Sequence, residues 1–400
     1  MAIEKSESKA FVRGIGQSAV GRRLNRDELD LTIEAALRAI DDAGLKPSDI
    51  DGLAAYPGAM AQPAGFSGPG TPSVQDALRL KLGWHHGGQE GPAQVGAAFA
   101  AVLAVAAGLC KHALVYRTVT EATAQGTGGR AGIGVGGGGG SFRVGHFMQW
   151  NLPYGAYSAA NWIGMMATRY MHETGMTQEQ LGWIAVNARR NAALNPNAVY
   201  TDPLSIEDYL ASRVITTPFR LFDCDAPCDG STAIVISHVD TIPDAPHPIV
   251  RFEAIGTALR GRPSWDQFDD LTTFACRDAA AQMWERTDLK PADVQTADLY
   301  DGFSWLTVAW LEALKLVEPG GAGAFLDGGE NIRRDGGVLP INTSGGQLSA
   351  GRLHGYGHFH EGVLQLMGRA GDRQIPGNPR VAAVAAGGGP IAGCMLLTRD

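Results

Sequence analysis

The sequence predicts a layered α/β fold made of two similar halves. Stretches typical of strands and of helices alternate along the 400 residues, and the same rhythm restarts near residue 248. A chain of this length is expected to form two or three domains, or two fused halves. Residues 95–109 are apolar on every side, which is typical of a helix buried between two layers. The predicted halves are residues 1–247 and 248–400.

The first half contains four predicted strands, at residues 11–15, 52–55, 113–116 and 233–238. It contains four predicted helices, at residues 29–43, 95–109, 159–174 and 177–194. The last two helices belong to a long loop region at about residues 121–220. Within that region the glycine-rich segment Gly126–Gly140 matches neither a phosphate-binding loop nor a dinucleotide fingerprint, so a flexible surface loop is predicted.

The second half repeats the alternation. Its predicted strands lie at residues 250–258, 298–303, 381–386 and 393–397. Its predicted helices lie at residues 272–286, 305–316 and 361–370. Gly355 and Gly357 predict a loop for the segment just before the last helix.

Composition excludes several classes of function. The formal net charge of −8 disfavours nucleic-acid binding, which usually needs a basic surface. The start of the chain does not read as a secretory leader and no apolar run is long enough to cross a bilayer, so a cytoplasmic protein without membrane contact is expected. Five scattered cysteines argue against a disulfide framework, and Cys224 and Cys228 have no second pair with which to bind zinc.

Five motifs occur in the order found in the thiolase superfamily. They are the opening strand–helix–strand at residues 14–53, the segments 195–198 and 224–233, the Tyr-Asp-Gly-Phe segment 300–303, the glycine-rich stretch 345–355 and the triple glycine 387–389. Through them the chain resembles thiolases, and in particular the branch near the sterol carrier protein x thiolases. The resemblance implies two βαβαβαββ halves in a five-layer α-β-α-β-α arrangement, and it implies a homodimer.

The resemblance also shows which catalytic groups are missing. Thiolases carry a nucleophilic cysteine at the N-terminus of the buried central helix, where the helix dipole lowers the thiol pKa. Counting back from the end of that helix places Gly91 at the position of this cysteine. The family's catalytic histidine aligns with Arg352, its second cysteine with Ala385 and its asparagine with Tyr300. Acyl transfer through cysteine is therefore excluded.

The groups that remain are backbone amides. The resemblance implies an oxyanion hole formed by the amides of Gly91 and Gly388, which would hold a thioester oxygen as it becomes an enolate. A retro-aldol cleavage uses such an enolate and needs neither a covalent acyl-enzyme nor a cofactor. The Tyr-Asp-x-Phe and Gly-Arg-x-His-Gly segments are similar to those of bacterial thiolase-like aldolases that shorten steroid side chains. That likeness implies a 3-hydroxyacyl-CoA substrate and a small acyl-CoA-binding partner of OB-fold and zinc-ribbon type.

Two tyrosines are the candidate proton carriers of this reaction. Tyr300 replaces the family's catalytic asparagine, and Tyr356 lies in the dense polar segment that follows Gly351. A tyrosinate base needs a lowered pKa, which a neighbouring cation such as Arg352 would supply. Which tyrosine is the base and which is the acid stays open, and so does a purely structural role for either. Arg352 is expected either to position a carboxyl or phosphate group or to pair with Asp301 or Glu361.

The other polar residues of the segment allow further interpretations. His354 is the best acid–base candidate among three histidines, since it lies nearest to the lost catalytic histidine. His354, His358 and His360 together are not predicted to bind a metal, because zinc needs further ligands. Asp301 would orient a tyrosine or, as we expect, cap the following helix. The competing hypothesis is a non-catalytic subunit that binds acyl-CoA or sterol and serves as a scaffold.

Overall fold

The protein is described by a computed structural model that covers residues 5–59, 64–88, 91–126, 148–156, 158–260, 270–272 and 274–400. Apart from Gly126, the predicted polyglycine loop lies outside these described residues. Eleven strands and twelve α-helices are formed by the described part of the chain. Among the described residues no helix combines the length and apolarity that a membrane span requires.

Nine of the strands form one mixed sheet, and β5 and β6 form a separate ribbon. The strands are β1 (Ala10–Gln17), β2 (Gly52–Ala55), β3 (Trp84–Gly87), β4 (His112–Thr120), β5 (Val214–Thr216), β6 (Phe219–Arg220), β7 (Asp229–His238), β8 (Val250–Leu259), β9 (Thr296–Leu299), β10 (Val381–Gly387) and β11 (Ile391–Arg399).

The helices cover both faces of the sheet and fill the loop region. They are α1 (Glu28–Asp42), α2 (Thr71–Leu78), α3 (Gly96–Ala106), α4 (Glu121–Gln125), α5 (Met148–Asn151), α6 (Ala159–Thr174), α7 (Gln178–Ala192), α8 (Ile206–Ala211), α9 (Ala275–Trp284), α10 (Ser304–Ala313), α11 (Ala322–Leu326) and α12 (Tyr356–Met367). A single π-helical turn, Gly346–Ala350, lies before α12.

The large sheet consists of two half-sheets with the same strand pattern. Its order is β3-β2-β4-β7-β1-β8-β11-β10-β9, and β1 and β8 are joined only by the pairs Phe11–Arg251 and Val12–Val250. Outward from this join, each half has two antiparallel pairings followed by a parallel one. The first half ends with the parallel strand β3, where the second half has a single parallel bridge between Ala297 and Ile341. The predicted architecture of two similar halves is confirmed.

Equivalent helices pack in equivalent ways in the two halves. In the first half α1 approaches β1 so closely that a Cβ atom on Gly16 would lie 2.4 Å from the Ala35 carbonyl oxygen. In the second half a Cβ atom on Gly256 would lie 2.0 Å from the Ala279 carbonyl oxygen of α9. Only glycine at these two strand positions permits the close helix–sheet contact.

The structure departs from the sequence-based elements at one important point. The segment after Gly355 is predicted to be a loop, but α12 begins at Tyr356 and includes Gly357. The prediction is wrong because tertiary packing outweighs the low helix propensity of glycine: Tyr356 and Phe359 are fully buried in the core. The helix α2 and the strand β3 are also present without having been predicted.

Candidate functional site

Tyr300 lies directly after β9, at a point where elements of both halves meet. A Cβ atom on Gly355 would be 3.9 Å from Tyr300, 3.9 Å from Val95 and 3.1 Å from Ala386. Tyr300 is only 8 % exposed, and its hydroxyl accepts a hydrogen bond from Nε2 of Gln94 at 3.3 Å. The family's asparagine position thus remains inside the site, now occupied by a phenol.

An anion stands next to the Tyr300 ring. A Cβ atom on Gly302 would lie 2.9 Å from Cε1 of Tyr300 and 3.6 Å from Oδ2 of Asp225. Burial raises the pKa of the Tyr300 phenol above its ordinary value, and the Asp225 carboxylate raises it further. Tyr300 is therefore held in its protonated form.

Tyr356 is the first residue of α12, and its environment has the opposite charge. Its side chain is fully buried, and its hydroxyl has no hydrogen-bond partner among the described residues. Burial raises the pKa of the Tyr356 phenol above its ordinary value, and the Arg117 guanidinium offsets only part of that rise. The cation therefore favours the phenolate over what burial alone would allow.

Arg117 lies in the middle of β4 and is completely buried. Its guanidinium carbon is 5.3 Å from the centre of the Tyr56 ring and 4.8 Å from that of Phe66, and Nη2 donates to Nδ1 of His354 at 2.8 Å. Among the described residues no carboxylate forms an ion pair with it. A buried cation in aromatic surroundings without a paired carboxylate attracts any anion that forms close by.

His354 connects Arg117 to an acidic group. Because arginine only donates hydrogen bonds, Nδ1 of His354 must be the acceptor and carries no proton. Nε2 of His354 lies 4.0 Å from Oε2 of Glu121. Nδ1 is thus already used to hold Arg117, and the predicted acid–base role of His354 stays a prediction for Nε2 alone.

Arg352 contacts different acidic residues from those expected. It donates two hydrogen bonds to Glu121, at 2.9 and 2.7 Å, and approaches Asp225 at 3.4 Å. The expected pairs with Asp301 or Glu361 are therefore wrong. Burial by itself would lower the pKa of the Arg352 guanidinium, but the Asp225 and Glu121 carboxylates raise it above its ordinary value. Because Arg352 already binds two carboxylates, it joins its own segment to Glu121 and Asp225 and is poorly suited to bind a substrate anion.

Asp301 does not cap the helix that follows it. α10 begins at Ser304 without a side-chain cap, so the expected capping is wrong. Instead Asp301 accepts from the backbone amide of Gln347 at 2.8 Å and contacts Nε2 of His358 at 3.0 Å. Asp301 therefore fixes the π-helical turn beside Tyr300. Among the described residues no group of three or more acidic, histidine or cysteine side chains is arranged to hold a metal ion.

Gly91 and Gly388, the predicted oxyanion-hole residues, belong to neighbouring segments. Gly91 begins a turn rather than the central helix, which starts five residues later at Gly96. Ala93 in this turn has a φ of +53°, and a Cβ atom on Gly387 would lie 2.8 Å from the Ala93 Cβ. The turn therefore packs on the glycine run, but the Gly91 amide is not a helix N-terminal amide.

Several site residues were missed from the sequence alone. Arg117 could have been found, because a charged residue inside the otherwise apolar strand 112–120 is unusual. Gln94, Glu121 and Asp225 gave no comparable signal, since polar residues are common in turns and at helix ends. Their roles follow only from the contacts across the two halves.

The site thus defines a thiolase-fold protein that lacks the cysteine nucleophile and carries two buried tyrosines of opposite surroundings. Comparison with known proteins agrees. A family profile, Thiolase C-terminal domain-like, matches residues 258–397. A steroid side-chain-cleaving aldolase of Thermomonospora curvata is 34% identical over 97% of both chains. The 17-hydroxy-3-oxo-4-pregnene-20-carboxyl-CoA lyase of Mycobacterium tuberculosis is 34% identical over 97% of this chain and 99% of its own.

A solved structure, an Ltp2-ChsH2(DUF35) aldolase, superposes with a TM-score of 0.85 at 30% identity and covers 99% of both chains. The acetyl-CoA acetyltransferase of Syntrophomonas wolfei shares the fold, with a TM-score of 0.64 at 16% identity over 98% of this chain and 99% of its own. The chain belongs to the thiolase superfamily and, within it, to the side-chain-cleaving aldolases. It is a carbon–carbon lyase acting on acyl-CoA, which excludes both a thiolase and the non-catalytic scaffold.

Proposed function

We propose that the protein cleaves a steroid side-chain CoA thioester that bears a hydroxyl on its β-carbon, giving a steroid carbonyl compound and a short acyl-CoA. The observation that carries this proposal is the pair of buried tyrosines with oppositely charged neighbours at the place of the lost acyl-transfer groups. The substrate class is supported by the relatives, whose names specify steroid side chains and a steroid carboxyl-CoA.

The charged neighbours of the two tyrosines support different roles for them. Tyr356 is the base: burial raises its pKa, the Arg117 cation offsets part of that rise, and the phenolate that this cation stabilises takes the proton of the substrate hydroxyl. The hydroxyl oxygen becomes the carbonyl, the Cα–Cβ bond breaks and its electron pair passes into the thioester, which becomes an enolate. Tyr300, kept protonated beside Asp225, is the acid that returns a proton to Cα.

The backbone amides of Gly91 and Gly388 stabilise the enolate oxygen. Donors already fixed in place stabilise a developing negative charge without reorganisation at the moment of reaction. Because no step passes through a metal, a Schiff base or an acyl-enzyme, we propose that no cofactor is required.

The proposed assembly is supported by a related structure and by an open sheet edge. The related aldolase structure contains a ChsH2(DUF35) partner, so we propose that a small acyl-CoA-binding subunit of OB-fold and zinc-ribbon type joins this chain. β3 is the outer strand of the sheet and pairs only with β2 among the described residues. Pairing of two β3 edges would remove this exposed edge and give a homodimer.

The test is cleavage of a branched 3-hydroxyacyl-CoA of the steroid side-chain type, with and without the partner subunit, with both products detected by mass spectrometry. Tyr356→Phe and Tyr300→Phe are each expected to lower kcat by about 10³-fold, since general acids and bases contribute roughly 10²–10⁴.

Tyr116→Phe is the matched control for loss of a buried phenol hydroxyl. Its hydroxyl donates to the Pro69 carbonyl at 2.8 Å, away from the site, so this variant should keep its turnover. Full activity of both Tyr300→Phe and Tyr356→Phe, or a stable acyl adduct on the protein, would refute the mechanism.

A further inference from the structure

A small polar cavity lies behind the site, on the side of the π-helical turn. Its volume is about 30 Å³, which is room for one or two water molecules. Its inner wall includes the buried side chains of Gln347 and His358, and half-buried residues among its other walls include Gln17, Asn197 and His360. The cavity therefore reaches inward to Gln347 and His358, both of which contact Asp301.

Three buried polar atoms on the inner wall would each be stabilised by a hydrogen bond to a molecule in the cavity. Nε2 and Oε1 of Gln347 and Nδ1 of His358 have no hydrogen-bond partner among the described residues, although these side chains are 2 % and 1 % exposed. An unsatisfied buried polar group costs about 1–3 kcal/mol. Water is the occupant that fits both the volume and the mixture of donor and acceptor atoms.

The orientation of His358 is fixed by its other nitrogen. Nε2 lies 3.0 Å from Oδ1 of Asp301 and is used by this contact. Nδ1 is then the ring nitrogen left to bind water. Asp301 holds the ring in this orientation and, through the Gln347 amide, holds the turn that carries the Gln347 side chain.

The cavity adjoins the proposed acid. The Gln347 side chain faces the Tyr300 hydroxyl as a hydrogen-bonding group and lowers its pKa, although no hydrogen bond of ordinary geometry joins the two. A water molecule bound to Gln347 would therefore lie close to the Tyr300 hydroxyl.

The proposed reaction leaves a proton imbalance inside the protein. After one turnover Tyr356 holds one proton more than before and Tyr300 one fewer, although substrate and products balance. Tyr356 releases its proton to water entering the emptied site, but Tyr300 needs one back. We propose that the polar cavity holds water which relays a proton from solvent to Tyr300 after each turnover, accepting one proton from solvent as it passes another to the phenolate, with Gln347 and His358 as the positioning residues of that water. This inference rests on the proposed function.

The experiment separates the first turnover from later ones, using the intact protein with its partner and the branched 3-hydroxyacyl-CoA. Gln347→Leu removes both amide atoms at similar volume, and His358→Gln keeps a donor for Asp301 but removes the ring Nδ1. In His358→Gln the rate of the first turnover should be unchanged, and in Gln347→Leu, which also removes a group that acts on Tyr300, the first turnover should fall much less than the steady state. The steady-state rate should fall by roughly tenfold or more, and added imidazole should restore it as a mobile proton carrier.

His112→Gln is the control for the loss of a buried histidine, since His112 is bonded to Ser237 far from the cavity. Loss of the first turnover to the same extent as the steady state, or an unchanged steady state, would overturn the inference. Absence of products from the unmodified protein would instead refute the proposed function. If a variant does not fold, a high-resolution crystal structure of the unmodified protein decides: ordered water between Gln347 and His358 supports the inference, and a dry cavity overturns it.

Discussion

The helices α3 and α12 occupy equivalent places in the two halves, but α3 buries apolar side chains whereas α12 also buries polar ones. α3 has the sequence GAAFAAVLAVA and buries only apolar side chains and one glycine. α12, with the sequence YGHFHEGVLQLM, buries Tyr356, His358, Glu361 and Gln365. In thiolases the nucleophile is placed at the start of the helix equivalent to α3. In this chain the two tyrosines lie in the second half, while the first half supplies the charged neighbours Arg117 and Asp225.

The difference teaches that duplication allows one half to take over chemistry that the other half loses. Most polar groups of α12 are matched: Glu361 pairs with Arg373 at 3.0 Å, and Gln365 donates to Thr343 at 3.0 Å. The neighbouring strand β9, however, carries Asp298, whose carboxylate has no hydrogen-bond partner among the described residues. The buried, unpaired Asp298 carboxylate thus lowers the free energy of unfolding of the second half, and the apolar α3 region has no comparable group.

Of the changes that compare the two halves, the largest effect on turnover is expected from Arg117, a buried cation of the first half. Because Arg117 lowers the pKa of Tyr356, Arg117→Met should raise this pKa and leave less phenolate at neutral pH. We expect kcat/KM at pH 7 to fall by about 10–100-fold and the rising limb of its pH profile to move to higher pH, while Arg117→Lys keeps most of the activity.

The matched control is Arg13→Met, which removes a buried arginine bonded to the carbonyls of Ala43 and Thr241. Its pH profile should not move. An unshifted profile in Arg117→Met would show that the first half contributes no charge to the chemistry.

A smaller effect is expected at Asp298, and it concerns stability. Burial raises the pKa of this carboxyl well above its ordinary value, and the Glu361 and Asp301 carboxylates add to the shift. The folded state therefore keeps a proton that the unfolded state releases above about pH 4, so this group makes the protein less stable as pH rises.

Asp298→Asn should remove that loss. At pH 8 the variant should have a free energy of unfolding about 1–3 kcal/mol higher than the unmodified protein and should unfold at a higher temperature. At pH 4 the two proteins should unfold at the same temperature. Thermal unfolding between pH 4 and 8 measures the difference. If the unfolding temperatures of the two proteins changed with pH in the same way, the predicted effect of Asp298 would be contradicted.

The smallest effect on turnover is expected in α3 itself. Val102 is fully buried there, and Val102→Ala should cost about 1–3 kcal/mol of unfolding free energy through the cavity that it leaves. kcat/KM should stay within about twofold, because no side chain of α3 takes part in the reaction. A large loss of turnover in a variant that remains folded would show that α3 does more than pack.

Local signals were enough to predict much of the fold. The helix at 159–174 and the strand at 52–55 have the predicted bounds, because apolar periodicity and flanking glycines act locally. Order and spacing of motifs predicted the thiolase fold, which the comparisons confirm, while the position of the lost nucleophile stays a prediction. The partners of Arg352, the start of α12 and the position of Arg117 were not predictable, since each depends on contacts between residues far apart in the chain, such as Arg352 and Glu121.

The join between the half-sheets has a consequence for the mechanical strength of the molecule. Only two residue pairs connect β1 to β8, so little backbone hydrogen bonding resists a pull that separates the halves. Arg352 and Glu121 bridge the halves near the site, and a buried ion pair is screened little by dissolved salt. Pulling the two termini apart should therefore open the molecule along this seam, at a force that changes little with ionic strength.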